Sequence, residues 1–334
     1  MTDKTAMTHS SLWGGLRPGT HAVGFTTGFS FDAARDYGKT YSDRAEKVRR
    51  KQPRPILIHR WYPAEPSSNE PMLYEEYLNL QSNDPGLKDF IERLVDFNLD
   101  VISREVLGRS LKVLGPAEKE AFDRLMKTPT TAVKGAAPAA GRYPLVLYHP
   151  GLGGSFEDNA VLFEYLASHG YGVISSAYPS GTAARINIDW DLDRSFRDLE
   201  CLVNAVAGET GVDLHRVAAM GHSFGGQAAL AWQSLPNSIV DAVVSLDATI
   251  EYAPPDHPSV KEIWERIGAV EQMTTPLLVF AQAAGNPRFN NYDPLRVVVS
   301  GRRMRYTSKR GTYFWRNHDS DNPSVLPLRE RSID

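Results

Sequence analysis

The stretch Gly221-His222-Ser223-Phe224-Gly225-Gly226 sets a serine among three glycines, between the apolar run Val217-Ala-Ala-Met220 and the helix-forming run Gln227-Ala-Ala-Leu230. A serine hydroxyl is a weak nucleophile until a base takes its proton and the backbone presents it. A strand that turns sharply into a helix does the presenting: it exposes the hydroxyl at the edge of a sheet and aims the positive end of the helix at the charge that develops there. Glycines flank such a turn because side chains would collide with the neighbouring elements. The string G-x-S-x-G arises by chance in roughly one chain of this length in ten. The chemistry therefore rests on what accompanies it: donors for an oxyanion, a base and an acid.

The donors come from a second glycine turn, Tyr148-His-Pro-Gly-Leu-Gly-Gly-Ser-Phe156, which follows an earlier apolar run. Glycines there let N–H groups converge without obstruction, and the amides of Leu152 and Phe224 are the expected oxyanion donors. His149 has no second ligand at a metal spacing, so no metal is expected. The base should be a histidine beyond the serine, and only His257 and His318 follow Asp241. His257 lies in a proline-rich loop soon after the fourth apolar run. His318, after the sixth, is the expected base. Asp247 ends the run Ala242 to Leu246 and is the expected acid. Asp293 is the alternative, deep in a long polar loop, while Asp319 and Asp321 adjoin His318.

These residues need a frame. Short apolar runs recur at Tyr143–Tyr148, Tyr171–Ser176, Arg216–Met220, Asp241–Leu246, Pro276–Ala281 and Arg303–Tyr306, with helical stretches around 160–169 and 193–207 between them. Such alternation is what a mostly parallel sheet, covered by helices on both faces, requires. Ahead of it, Ala22–Phe25 and Pro55–Tyr62 read as two β segments, the second closed by Pro63, that pair as an antiparallel edge. Residues 1–19 read as a flexible polar tail and 20–334 as a single domain. Within it, residues 70–135 form a helical insert, with apolar residues such as Phe90, Leu94, Phe97 and Val101 at three- and four-residue steps. This insert is either packing against the sheet or a lid over a substrate cleft. Lys134–Gly141 reads as a small-residue linker.

Composition excludes several classes. With 334 residues, 42% hydrophobic, 23% charged and a net charge of −3, nothing argues for a nucleic-acid partner. The single cysteine, Cys201, forms no intramolecular disulfide and reads as a buried small hydrophobe. The N-terminus lacks the charged and apolar regions of a signal peptide, and no run approaches eighteen apolar residues. A cytoplasmic protein is the expectation. No cofactor is called for, and oligomeric state is left open.

With "YHPGLGGS", "GHSFGG", "SLDA" and the N-terminal "HAVGF" and "WYPAEP" on the page, the chain resembles the platelet-activating-factor acetylhydrolase-like and dienelactone-hydrolase-like esterases. The resemblance runs from about residue 18 to 320 and is strongest over 143 to 250. It implies the α/β-hydrolase fold and the chain order Ser, Asp, His. Carried over motif by motif, it implies Ser223 as nucleophile, Asp247 as acid in preference to Asp293, His318 as base, and Leu152 with Phe224 as oxyanion donors. Dienelactone hydrolases have cysteine at the elbow, so serine argues against that activity. The expected chemistry is hydrolysis of a small carboxylic ester with an apolar part. A peptidase, an acyltransferase and a non-catalytic binding module are the alternatives.

Overall fold

The computed structural model describes residues 10–37, 52–181, 186–248, 257–258, 260–267, 274–282, 303–309 and 312–316. The chain divides into two compact units, Met1–Val146 with Gly153–Leu214, and Leu147–Leu152 with His215–Asp334.

In the first unit, β1 (Ala22–Asp36) and β2 (Pro53–Ala64) pair antiparallel from Ala22 opposite Ala64 to Asp32 opposite Arg54, with an irregularity before Asp36 opposite Pro53. Both strands outrun the sequence expectation. Thr26, Thr27, Phe29 and Phe31 favour a pleated, half-buried surface, and the long apolar partner carries them in register. Pro63 does not end β2, because its carbonyl still accepts from Ala139 N at 2.9 Å and the end of a strand tolerates a missing N–H.

The insert contains α1 (Lys88–Leu107) and α2 (Pro116–Met126). Gly108, at φ +69°, ends α1 with its N–H on Arg104 O, the left-handed stop that glycine adopts without strain. Pro116 opens α2, and the Glu118 carboxylate accepts from Gly115 N at 2.8 Å. Phe90, Leu94 and Ile102 enter one buried cluster with Leu57, Tyr37, Phe122, Met126 and Phe156. Phe90 also meets Phe29 and Tyr37 edge-on, at 6.2 and 5.9 Å between ring centres. The helices of the insert are thus part of the core over β1 and β2. Their apolar stripe is used for packing.

The remaining elements of this unit are β3 (Ala132–Lys134), β4 (Tyr143–His149, whose last residues belong to the second unit), α3 (Ala160–Ser168), β5 (Gly172–Ser175) and α4 (Leu192–Val206). The strand order is β4-β5-β2-β1-β3, with β2 antiparallel to β5 and β3 parallel to β1. The pairing of Ala132–Lys134 with Val23–Phe25 makes a strand where the sequence showed only the approach to a linker.

Buried polar groups fasten this unit. Glu164 accepts from Trp13 Nε1 and Tyr77 Oη, both at 2.7 Å, and from Thr131 N at 3.0 Å. The segment expected to be a flexible tail is therefore held at Trp13, which is buried. Arg54 grips Asp198 with Nε and Nη2 at 2.9 and 2.6 Å, and donates to the carbonyls of Pro179 and Ser180. Cys201 is not the buried hydrophobe its neighbours in sequence implied. It is half-buried, with Sγ 3.7 Å from Asp32 Oδ2 and 3.8 Å from Arg35 Nη2.

The second unit holds β6 (Val212–His222, from His215 onward), α5 (Phe224–Gln233), β7 (Val240–Leu246), α6 (Lys261–Ile267), β8 (Leu277–Gln282), β9 (Arg303–Lys309) and β10 (Thr312–Arg316). Strands β6 to β9 are parallel in that order. The buried side chains Val217, Ala219, Val243, Leu277 and Val279 explain why these runs are almost continuously apolar. Strand β10, unexpected from sequence, folds back antiparallel on β9. Among the described residues no helix is long and apolar enough to cross a membrane.

Two outcomes follow for stability. Leu94→Ala, at a site 2% exposed, should cost about 2–5 kcal/mol in urea unfolding, whereas Val106→Ala, 56% exposed, should stay within about 0.5 kcal/mol. Equal effects would remove α1 from the core. Glu157 is fully buried, its Oε2 has no partner, and its Oε1 accepts from Ser155 Oγ. Burial, reinforced by Asp158 and Glu105, pushes its carboxyl up from 4.5 to about 8. The folded state therefore binds this proton more tightly than the unfolded one. Its contribution to stability is complete below pH 4.5 and is lost, on the order of a few kcal/mol, as pH rises to about 8. Between pH 5 and 9 the urea midpoint of the parent should fall relative to that of Glu157→Gln. Parallel profiles would contradict the buried neutral acid.

Candidate active site

Parallel strands bring their carboxyl ends to one edge of a sheet, where open α/β sheets form their sites. In the second unit His222 pairs with Leu246, Leu246 with Phe280, and Phe280 with Tyr306. Ser223 and Asp247 each stand one residue beyond this line. Ser223 N donates to Leu246 O at 3.0 Å, and Asp247 N donates to Phe280 O at 2.6 Å. The ladder thus continues through both residues, which the inter-strand spacing sets about 5 Å apart at the backbone. Both are held in the left-handed region, at φ +50° for Ser223 and +52° for Asp247. A non-glycine residue there is strained by about 1–3 kcal/mol and persists only where its surroundings fix it.

The surroundings of Ser223 do fix it. A Cβ added to Gly221 would lie 2.1 Å from the carbonyl carbon of Gly225, and one added to Gly225 would lie 1.9 Å from His149 O and 2.7 Å from Pro150 O. Strand β6, helix α5 and the end of β4 meet at backbone contact, which only glycine permits. The turn after β4 lies equally close: a Cβ on Gly151 would be 3.0 Å from Ser223 Cβ. His149, buried, donates Nδ1–H to Pro150 O at 2.7 Å and meets the Phe224 ring edge-on at 5.7 Å between ring centres. That pairing braces the turn.

Phe224 is the first residue of α5, where backbone N–H groups lack an acceptor within the helix and the helix dipole is positive. Leu152 follows Gly151 in the turn against Ser223 and is 41% exposed. The two expected oxyanion donors therefore flank the expected nucleophile.

A sequence profile of the family described as alpha/beta hydrolase fold matches residues 144–292. Among solved structures, a ferulic acid esterase from Streptomyces cinnamoneus aligns at 23% identity and TM-score 0.54, covering 88% of this chain and 74% of its own. This chain has the α/β-hydrolase fold. A thermophilic esterase from the planctomycete Thermogutta terrifontis also aligns, at 17% identity and TM-score 0.39, over 51% of this chain and 72% of its own. No curated protein sequence matches.

The elbow brings together Ser223, Phe224, the turn of Leu152, and Asp247. The expected base His318, the alternative acid Asp293, and Asp319 and Asp321 lie outside the described residues. Strand β10 ends at Arg316, which pairs with Arg305 and, through β9, β8 and β7, stands level with Gly221, two residues short of Ser223. The strand runs away from the carboxyl edge, four strand spacings, about 19 Å, from β6. His257 is half-buried, its carbonyl accepting from Val260 N and Lys261 N at the start of α6. His222, inside the motif, lies against Gly151 with its side chain exposed; partial desolvation pushes its imidazole down and the charge of Asp247 pushes it up.

The steric account of the elbow is testable by stability. Gly225→Ala should cost at least about 3 kcal/mol in urea unfolding or abolish soluble folding, because backbone must move. Gly208→Ala, whose Cβ would meet nothing within 4 Å, should be neutral to within about 0.5 kcal/mol. A Gly225→Ala protein as stable as Gly208→Ala would refute the close approach.

Proposed function

We propose that the protein is a serine hydrolase that cleaves small carboxylic esters through an acyl-enzyme, with Ser223 as nucleophile, His318 as base, Asp247 as acid and the amides of Leu152 and Phe224 as oxyanion donors. The observation that carries this reading is the strained Ser223 at the head of α5, with the Gly151 turn packed on its Cβ.

His318 takes the proton of Ser223 Oγ as it attacks the ester carbonyl. The carbonyl oxygen gains a negative charge as the tetrahedral intermediate forms, and the two amides hold it in a site already organised for that charge. The imidazolium then gives its proton to the departing alkoxide. Asp247 orients the ring and stabilises its cation. Water, deprotonated by the same imidazole, releases the acid and restores the serine. Asp247 is preferred over Asp293 because it stands beside Ser223 on the ladder and at positive φ. The acetylhydrolase-like motifs and the esterase among the neighbouring structures favour an ester over an amide.

On chromogenic esters of graded acyl length, Ser223→Ala should lose about 10⁴-fold or more in kcat, as removal of a triad nucleophile does. His318→Ala and Asp247→Asn should each fall by orders of magnitude, while His257→Ala and Asp293→Asn stay near the parent. Parental rates in Ser223→Ala would refute the mechanism. Loss confined to His257→Ala or Asp293→Asn would reassign the base or the acid.

A further inference from the structure

The turn that carries Leu152 has little to hold it from within. The Leu152 side chain is exposed, a Cβ on Gly153 would meet nothing within 4 Å, and Gly154 has no side chain to bury. The turn is therefore fixed at its ends. At its entry Gly151 packs on Ser223. At its exit the first buried side chains are Ser155, Phe156 and Glu157. Phe156 enters the cluster of Leu57, Phe90 and Leu94 and meets His59 edge-on at 4.6 Å between ring centres. Around it Ser155 Oγ donates to Glu157 Oε1, and Glu157 O accepts from Ala160 N at 2.9 Å. Glu157 Oε2 is buried with no partner. An unpaired oxygen is tolerable on a neutral carboxyl group and costly on a charged one.

We propose that Glu157 is a proton-operated latch on the exit of this turn: protonated, it keeps Ser155–Glu157 seated in the core, and loss of the proton unseats that segment and frees the turn of Leu152. The proposal rests on the serine-hydrolase reading, which makes the Leu152 amide an oxyanion donor. Such donors act through geometry fixed before the charge appears, so a freed turn acylates slowly. The groups around the carboxyl offer no relief to its ionised form. Asp158 and Glu105 of α1 oppose its ionisation, its charge acts on Tyr74, and Glu164 of α3 acts on Tyr74 as well. All four are acids. Burial, the largest cause, carries the carboxyl from 4.5 to about 8, although the Ser155 hydroxyl pulls it down. The latch is therefore closed at neutral pH and opens as pH rises through about 8.

The test follows the full chain in two readouts as pH rises from about 7.5 to about 9.5. One is the second-order rate at which a fluorophosphonate labels Ser223. The other is the hydrogen-exchange protection, corrected for pH, of the peptide containing Phe156 to Ala160. In the parent both should fall about tenfold and recover on return to neutral pH. Glu157→Gln, which cannot ionise, should keep both level. Ser155→Ala should move the fall to higher pH, because the bond it removes favours the carboxylate. A parental rate that holds throughout, a fall without loss of protection, or the same fall in Glu157→Gln would overturn the proposal. So would protection lost over the whole chain at once. If Glu157→Gln does not fold, a fall in Ser155→Ala at or below the parental pH would overturn it. If Ser223 is labelled at no pH, the serine-hydrolase reading fails, and the exchange profile still decides the latch.

Discussion

The site depends on one steric fact: three backbone segments meet at Ser223 more closely than a side chain on Gly221 or Gly225 allows. Gly225 approaches the carbonyl of His149, Gly221 approaches the carbonyl of Gly225, and Gly151 approaches Ser223 Cβ. These contacts hold Ser223 at φ +50°, a conformation that costs energy by itself and survives only because the packed elements leave no alternative. The surrounding side chains supply the compensating burial. Helix α5 is buried from Phe224 to Trp232, and the strands beneath it present Val217, Ala219 and Val243 to the interior. The core of this unit is what keeps the elbow strained.

The same geometry places Asp247. Because β6 and β7 are parallel and in register, the residue that follows each strand emerges at the same edge. Asp247 shares the positive φ of Ser223, +52° against +50°, and its N–H is taken by the adjoining strand. Two strained residues side by side at the carboxyl edge of a parallel sheet are an arrangement that core packing alone does not call for. The first unit contributes differently. Its insert is fastened by Phe90, Leu94 and Ile102 to β1 and β2, which makes α1 and α2 structural.

The parallel strands of the second unit were legible because both their faces are covered, which leaves short apolar runs between helical stretches. The elbow was legible because its glycines are required by contact. Other features had no local signal. The extension of β1 through Phe31 depends on the pairing with β2. The polar setting of Cys201 comes from Asp32, 169 residues away. Strand β10 has a signal in Thr312-Tyr-Phe-Trp315, which favours a strand. Asp247 was legible as a candidate from its place at the end of an apolar run.

The claim at the centre of this account is that Ser223 is the activated nucleophile. The most direct measurement is treatment of the folded protein with a fluorophosphonate, followed by intact mass and peptide mapping. The account predicts a single adduct, carried by the peptide that contains Ser223, with ester hydrolysis lost in proportion to labelling. An adduct on a different residue, or ester hydrolysis that continues with Ser223 fully labelled, would contradict it.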